Sequence, residues 1–417
     1  MTPKVIAYYL PQYHTTEINN KNWGPGFTEW TNVAKARPNF SNHYQPHIPR
    51  DLGFYDLAHI ETLEMQISLA KKYEVDAFCF YYYWFDGKQV LEKPLKLFLG
   101  SSIDFKFCIC WANENWSKNW DGGNKEVILE QTYGDNFERN FIKSVKDILL
   151  DNRYLRIDGK PLLQIYRIGL LPNPKLSIKK FRIAAAEEGV GELLIVLVDF
   201  NVGLEKAISY GADYLSEFPP HGFITEKTLC SLPAPNELIN KEFCGRIVDY
   251  NHCMELSLSK WTEKTNKLPV MRGIIPSWDN TPRRQNDGTV FIHASPQKFY
   301  HWLKFLLSYS SEFKSPCVFI NAWNEWGEGA HLEPDLKYKT NYLEQIPLAK
   351  KNYKSYQKET KYFLSYIDTV SEQGVQEISR HTKPKVIKFS DFIKNRLMQY
   401  PRLYIMVQKF YRMIKNL

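Results

Sequence analysis

Two glutamates three residues apart, Glu325 and Glu328, are the strongest candidates for chemistry in this chain. They follow residues 318–322, whose apolar run predicts a short buried strand. On a helical turn, side chains three apart face the same way, with Cβ atoms about 5–6 Å apart. Retaining glycoside chemistry needs carboxyl groups about 5–5.5 Å apart, one acting on the sugar and the other protonating the leaving oxygen. The alternative is a solvated first turn of a helix, where glutamate is also favoured.

Further clusters of indole, amide and carboxylate groups follow other predicted strands. Such groups together offer a flat apolar face and paired donors and acceptors, which suits a hydroxyl-rich ligand. Tyr81 and Tyr83 are predicted to have a core role at least as readily as a ligand contact, because side chains alternate along a strand. The residues predicted to bind substrate are Tyr9, Gln12, His14, Glu29, Trp30, Trp84, Trp111, Asn113, Glu114, Trp116, Asp199, Glu217, Trp278, Asp279, Arg283, Trp323, Asn324, Trp326 and His331.

No metal and no cofactor are predicted. Glu328 and His331 form an E-x-x-H pair, but a carboxylate-bridged metal site needs a second such pair, and none is visible. The sequence also lacks HExxH, a Walker loop and a D-x-D pair for a metal-bound nucleotide diphosphate. Arg283 and Arg284 could hold a phosphate or a sugar carboxylate, or they could be solvated loop arginines.

Eight apolar runs alternate with longer helical patterns, which predicts a parallel sheet with right-handed crossovers. The predicted strands are residues 5–10, 76–83, 105–111, 161–166, 193–200, 213–218, 269–275 and 318–322; the helices between and after them include 57–73, 135–149, 176–188, 203–210, 252–264, 296–310 and 342–353. Eight units favour a (β/α)8 TIM-type barrel of the α/β class, whose active site lies where strands end. The alternative, a doubly wound open sheet, would normally carry a phosphate-binding glycine loop after an early strand, and none appears.

The barrel is predicted to span residues 1–350, followed by a helical extension over 351–379 and a basic amphipathic tail over 380–417. Of the 54 lysines and arginines, ten lie in the tail beside one acid, so residues 1–379 are close to neutral. Apolar residues in the tail recur at helical spacing, which predicts binding to an anionic membrane surface or packing on the barrel. Nucleic-acid binding is not expected, because the charge and the aromatic loops lie in different places.

The seven cysteines fit neither zinc spacing nor a CxxC pair, and several lie in predicted strands. They are interpreted as buried apolar residues in a reducing compartment. The N-terminus shows no export signal, and no apolar run reaches 18 residues. The expected location is therefore the cytoplasm, with peripheral attachment to the inner face of the plasma membrane as an added expectation.

The sequences of the motifs and their order along the chain resemble those of the WbsX-type glycosyltransferases of bacterial O-antigen and capsule clusters. The motifs are YYLPQYH, GFTEW, FYYYWF, WANENW, PSWDNTPR and NAWNEWGEGAHLEP, and they extend over roughly residues 4–350. These proteins in turn resemble the endo-α-mannosidases of glycoside hydrolase family 99. The resemblance implies that Glu325 acts as general base on the sugar 2-hydroxyl to give a 1,2-anhydro intermediate, with Glu328 as general acid and then base. Gly327 stands where the mannosidases are expected to have histidine.

The predicted function is glycosyl transfer with retention during surface polysaccharide (O-antigen, lipopolysaccharide or capsule) assembly, on an oligosaccharide or lipid-linked glycan. One alternative is a retaining endo-glycosidase resembling the endo-α-mannosidases. Another is a non-catalytic carbohydrate-binding barrel, from which loss of either glutamate would be expected. Both glutamates are present.

Overall fold

A closed barrel of eight parallel strands forms the centre of the computed structural model, which describes residues 2–118, 126–259 and 268–354. The strands are β1 Lys4–Tyr9, β2 Ala77–Phe85, β3 Lys106–Trp111, β4 Lys160–Ile165, β5 Leu194–Val198, β6 Tyr214–Ser216, β7 Val270–Ile274 and β8 Cys317–Ile320. Each strand pairs with the next, and β8 pairs with β1, which closes the barrel. The (β/α)8 prediction is confirmed, and every predicted strand lies on a barrel strand.

Helices surround the barrel. They are α1 Glu17–Trp23, α2 Trp30–Lys35, α3 Ile60–Lys72, α4 Lys93–Leu99, α5 Phe137–Leu150, α6 Pro174–Glu187, α7 Gly203–Tyr210, α8 Tyr250–Ser259, α9 Thr281–Arg284 and α10 Pro296–Glu312, and residues 341–354 are also helical. Local sequence explains several of the helix ends. Asn173 and Ser295 cap α6 and α10 by accepting main-chain N–H groups, and each is followed by proline at the first helical position. Gly211 ends α7 with a positive φ of 86°, which glycine adopts without strain.

Alternation along the strands separates two aromatic layers. Tyr8 of β1 packs against Tyr81 and Phe319 inside the barrel. Trp84 and Trp111 point the other way and pack on Phe141 of α5, with ring centroids 5.4 and 4.4 Å from it. Because side chains on one strand alternate between faces, Tyr81 and Tyr83 of β2 face the barrel interior, while Tyr82 and Trp84 face α5.

Among the described residues, the basic repeat carries several additions, including the following three. Residues 10–59, between β1 and α3, carry α1 and α2. A small sheet joins Leu229–Cys230, Arg246–Asp249 and Thr289–Ile292. A two-stranded hairpin, Asn324–Glu325 with Ala330–His331, follows β8. Strands of two to four residues are too short for a periodic pattern, so the sequence does not predict them.

The C-terminal predictions lie largely outside the described residues. Helix is present at 351–354, and residues 355–417, which include the tail over 380–417, are not described. Within the described ranges, no helix is both long and apolar enough to cross a membrane.

Candidate active site

The two glutamates lie in a tight turn directly after β8, called here the glutamate turn (residues 324–331). Its apex is a 3-10 helix, Trp326–Glu328, closed by Gly329 with a positive φ of 60°. A 3-10 helix has three residues per turn, so side chains three apart eclipse each other. Glu325, just before this helix, and Glu328 at its end therefore project from the same side of the turn.

Arg283 of α9 brings three carboxylates together. Its Nη2 lies 2.8 Å from Glu325 Oε1, its Nη1 2.8 Å from Glu328 Oε1, and its Nε 3.0 Å from Glu29 Oε1. The side chains of Glu29, Glu325 and Arg283 are at most 10% exposed, while that of Glu328 is 24% exposed. Glu328 is therefore the member of this group, called here the Arg283 cluster, that is most accessible to a substrate.

Burial governs protonation in this cluster. It raises the pKa of Glu325 to about 8, with Arg283 acting in the opposite direction and the neighbouring Glu328 and Glu29 adding to the rise. Burial also raises the pKa of Glu328, again against the effect of Arg283. One guanidinium cannot balance three ionised carboxylates in a space with little water, so we conclude that the cluster holds a proton near neutral pH.

Gly327 leaves room for the third carboxylate. A Cβ atom at this position would lie 2.5 Å from Glu29 Oε1 and 2.9 Å from Arg283 Nε, closer than non-bonded atoms allow. Gln12 approaches from the β1 loop, with Nε2 3.4 Å from Glu325 Oε1. The space that a side chain at 327 would need is thus filled by Glu29 and Arg283.

A network of buried hydrogen bonds, made by Tyr13 and Glu333, holds the glutamate turn in place. The hydroxyl of Tyr13 accepts the main-chain N–H groups of Trp326 and Gly327 at 2.9 and 3.3 Å. The Glu333 carboxylate accepts from Trp326 Nε1, Tyr55 and Gln66, each at 2.7 Å. Burial raises the pKa of Glu333 to about 7, although these donors act against the rise.

Many of the predicted substrate-binding residues occupy three kinds of position. Gln12, Glu29 and Arg283 join the glutamates in one cluster. A second group is buried beneath or within the turn: Trp30, Asn324, Trp326 and His331. The Asn324 side chain hydrogen-bonds the main-chain N–H and carbonyl of Leu10. Trp30 Nε1 donates to the Tyr55 carbonyl, and the His331 ring stacks on Trp326. Glu114, nearly half exposed, pairs with Arg167 at 3.1 Å.

Others are engaged in packing or in fixing loops. Tyr9, Trp84, Trp111 and Trp323 are fully buried, with Tyr9 donating to Gln66 of α3 and Trp323 packing on Phe78. The Asn113 side chain hydrogen-bonds the main-chain carbonyl and N–H of Arg167. The Asp199 carboxylate accepts the main-chain N–H groups at the start of α7. Glu217 forms an ion pair with Arg272. His14, Trp116 and Trp278 are also buried. In the structure these side chains therefore pack or fix loops, and their predicted contact with substrate stays a prediction.

Asp279 is buried but supports the site indirectly. Its carboxylate accepts from His43, Gln45 and Thr281 at 2.6 Å each, and its main-chain N–H donates to the Glu328 carbonyl at 2.7 Å. The loop after β7 is thereby tied to the glutamate turn.

Three residues around the cluster were not among the predicted substrate-binding residues: Tyr13, Tyr166 and Tyr83, the last of which was predicted to have a core role at least as readily as a ligand contact. Tyr83 and Tyr166 are half-buried, and Glu325 and Glu328 are among the groups that raise their respective pKa values, after burial itself. The available signal was alternation, because Tyr83 lies two residues from Tyr81 and one from the outward-facing Trp84.

We predict that the close fit between Gly327 and Glu29 appears as energetic coupling. Gly327→Ala alone should lower the free energy of unfolding by about 1–3 kcal/mol through overpacking. In a Glu29→Ala background the same change should cost clearly less, because the clashing carboxylate is gone. Urea unfolding of the two single variants and the double variant measures this coupling. Additive effects would show that the clash does not operate in solution.

Comparison with known proteins identifies the family. The family model described as Glycosyltransferase WbsX matches residues 5–346. Two curated relatives, both named uncharacterized protein WxcX and from two strains of Xanthomonas campestris pv. campestris, are 38% identical over 339 residues, covering 80% of this chain. The alignment covers 47% of each relative, so the chain spans about half the length of the curated relatives it matches.

Solved structures share the fold. A family 99 endo-α-mannosidase from Bacteroides thetaiotaomicron, bound to BIS-TRIS-propane, has a TM-score of 0.53 and 16% identity over 84% of this chain and 97% of its own. A glycoside hydrolase-like protein has a TM-score of 0.54 and 15% identity over 84% and 94% of the two chains. At such identities the likeness establishes the barrel alone. The family match over residues 5–346 shows that this chain belongs to the glycosyltransferase WbsX family.

Proposed function

We propose that this chain is a glycosyltransferase that acts with retention in the assembly of a surface polysaccharide, using Glu325 and Glu328. One observation carries the proposal: both carboxylates of the glutamate turn meet a single buried guanidinium, 2.8 Å from each, after the last barrel strand. The ends of barrel strands are where enzymes of this fold carry out chemistry. A non-catalytic binding barrel would not require two buried carboxylates with raised pKa values.

In the first half-reaction, the one proton of the pair is on Glu328, and the ionised Glu325 accepts the proton of the donor sugar's 2-hydroxyl. The 2-oxygen forms a bond to the anomeric carbon while the bond to the leaving oxygen breaks. Glu328 gives its proton to that leaving oxygen, for which its raised pKa suits it. Arg283 then stabilises the carboxylate that Glu328 has become.

In the second half-reaction, Glu328 takes a proton from the acceptor hydroxyl, whose oxygen bonds to the anomeric carbon. The bond between that carbon and the 2-oxygen breaks, and the 2-oxygen recovers its proton from Glu325. Two inversions at one carbon give overall retention. Burial makes Glu325 a stronger base than an exposed glutamate, because its pKa is raised to about 8.

The nature of the acceptor separates transfer from hydrolysis. Membership of the glycosyltransferase WbsX family favours a sugar acceptor. The fold shared with the endo-α-mannosidase structure favours the second candidate, a retaining endo-glycosidase, in which water takes the acceptor's place. Both candidates use the same two glutamates.

The proposed location is the cytoplasmic side of the membrane. All seven cysteines are free, and five are buried in a chain without disulfides, as expected in a reducing compartment. The basic residues of 380–417 would hold the chain near anionic lipid, where a lipid-linked glycan is available.

We predict that Glu325→Gln and Glu328→Gln each lower activity at least about 100-fold, which corresponds to about 2.7 kcal/mol of transition-state stabilisation. Activity is read as the mass of lipid-linked glycans in cells that lack the gene and carry either variant. Glu64→Gln makes the same carboxylate-to-carboxamide change at an exposed position on α3. It is the matched control and should behave as wild type.

A heavier glycan in the presence of the wild-type chain supports transfer, and a shorter one supports hydrolysis. Wild-type glycan profiles in both glutamine variants, with normal protein levels, would exclude the glutamate pair as the catalytic groups.

We predict that a chain ending at Ser379 no longer sediments with vesicles containing phosphatidylglycerol, while keeping its far-UV circular dichroism. Each basic residue near an anionic surface contributes about 1 kcal/mol, so ten such residues should hold the full chain on these vesicles. Raising the salt concentration should release the full chain through screening. If the shortened chain aggregates and the full chain ignores the vesicles, the tail instead packs on the barrel.

A further inference from the structure

Three potential metal ligands meet beside the glutamate turn. His47, His331 and Asp335 each offer one ligand atom, and these atoms all lie within 4.8 Å of one another. His47 Nδ1 is 2.9 Å from His331 Nε2, and Asp335 Oδ2 is 4.0 Å from the same nitrogen. All three residues are buried.

Neighbouring groups fix the orientation of both imidazoles. His331 Nδ1 lies 2.9 Å from the main-chain oxygen of Glu333, so this nitrogen carries the hydrogen and Nε2 presents a lone pair to the cluster. The His331 ring stacks on Trp326 at 3.7 Å, and the His47 ring stacks on Tyr44 at 4.4 Å. Histidines that bind metals usually donate their second N–H to a carboxylate or a main-chain carbonyl, as His331 does here.

The negative charge of the buried Asp335 carboxylate favours a cation next to it. Asp335 is 2% exposed and accepts the main-chain N–H of Tyr338. Among the described residues, the only ionisable nitrogen within 4.0 Å of its carboxylate is His331 Nε2, too distant for a hydrogen bond. A buried carboxylate without a cation is costly.

A further polar atom lies nearby. The hydroxyl of Tyr44 is buried and, among the described residues, has no partner with full hydrogen-bond geometry. Asp335 contributes to the raised pKa of this hydroxyl, which places the two groups close to each other. Tyr44 is therefore a candidate for a fourth ligand, or for holding a water molecule on the ion.

We propose that His47, His331 and Asp335 bind one divalent ion of the Zn²⁺ type, which joins residues 10–59 to the glutamate turn. Imidazole and carboxylate groups are ligands that Zn²⁺ accepts at about 2.0–2.2 Å, which puts two ligand nitrogens about 3 Å apart. A hydrogen bond between the two rings would give the same separation, but it would leave no cation within 4.0 Å of the Asp335 carboxylate among the described residues.

This set differs from the E-x-x-H pair that the sequence presents. Glu328 of that pair is held by Arg283, and the partner of His331 is His47, 284 residues away in the chain. The ion would brace Trp326 through the stacked His331 ring and take no part in the reaction. The inference is independent of the proposed function.

The test uses the full chain without a polyhistidine tag, dialysed against a chelator and then titrated calorimetrically with Zn²⁺. We expect one equivalent per chain and a rise in the thermal unfolding midpoint on binding. Asp335→Asn and His47→Gln should each weaken binding at least about 100-fold. Asp51→Asn and His59→Gln, both at exposed positions, serve as matched controls and should bind as wild type.

Circular dichroism of each variant without metal confirms that it is folded. Asparagine at 335 keeps the shape of the side chain and an oxygen for the Tyr338 N–H. A second group of potential ligands, Cys230, Asp249 and His252, lies elsewhere, so Cys230→Ala is measured in parallel. Failure of the wild-type chain to take up one equivalent overturns the proposal without recourse to any variant. Loss of binding in Cys230→Ala, with binding retained in Asp335→Asn, overturns it equally.

Discussion

The guanidinium of Arg283 is surrounded by three carboxylates in a space that largely excludes water. Each of its three nitrogens faces a different one: Nε faces Glu29, Nη1 faces Glu328 and Nη2 faces Glu325. Arginine suits this position because its planar group presents several donors in fixed directions, whereas lysine presents a single point charge. Three separate segments of the chain meet here: the N-terminus of α2, helix α9 after β7, and the turn after β8. Removing the guanidinium would leave buried like charges facing each other.

The surroundings of this cluster are built for rigidity. Tyr13 holds the main chain of the glutamate turn, Glu333 holds the Trp326 indole, and the Asp279 main chain holds the Glu328 carbonyl. Gly329 lets the loop after β7 come close, since a Cβ there would lie 3.0 Å from Asp279 atoms. Reacting groups must be held within a fraction of an ångström of their working geometry, and side chains locked by a second layer of hydrogen bonds meet that need. Several aromatic and carboxylate residues of the motifs serve this second layer.

Much of the fold could be predicted from the sequence, and less of the site. Strands such as β5 are short, continuous aliphatic runs, and their regular alternation with longer helical patterns predicted them. The spacing of Glu325 and Glu328 indicated that they would lie close together, and the structure joins them through Arg283. Trp84 and Trp111 were assigned to the site by residue type, yet strand alternation places them against Phe141 outside the barrel. The role of Glu29 could not be predicted, because its contact with Arg283 spans 254 residues of chain and depends on the absence of a side chain at Gly327.

The central claim is that the buried carboxylates around Arg283 retain a proton near neutral pH. The free energy of unfolding of the wild type and of the Glu325→Gln/Glu328→Gln double variant, measured by urea between pH 5 and pH 8, tests it directly. The pKa of Glu325 is about 8 in the folded chain against an ordinary value of 4.5. Between these values the folded chain holds a proton that the unfolded chain has released, so the wild type should lose stability as the pH rises. Glutamine cannot titrate, so the stability of the variant relative to wild type should increase with pH and level off above about pH 8. A difference that stays constant across this range would show that neither Glu325 nor Glu328 holds a proton in the fold and would contradict the claim.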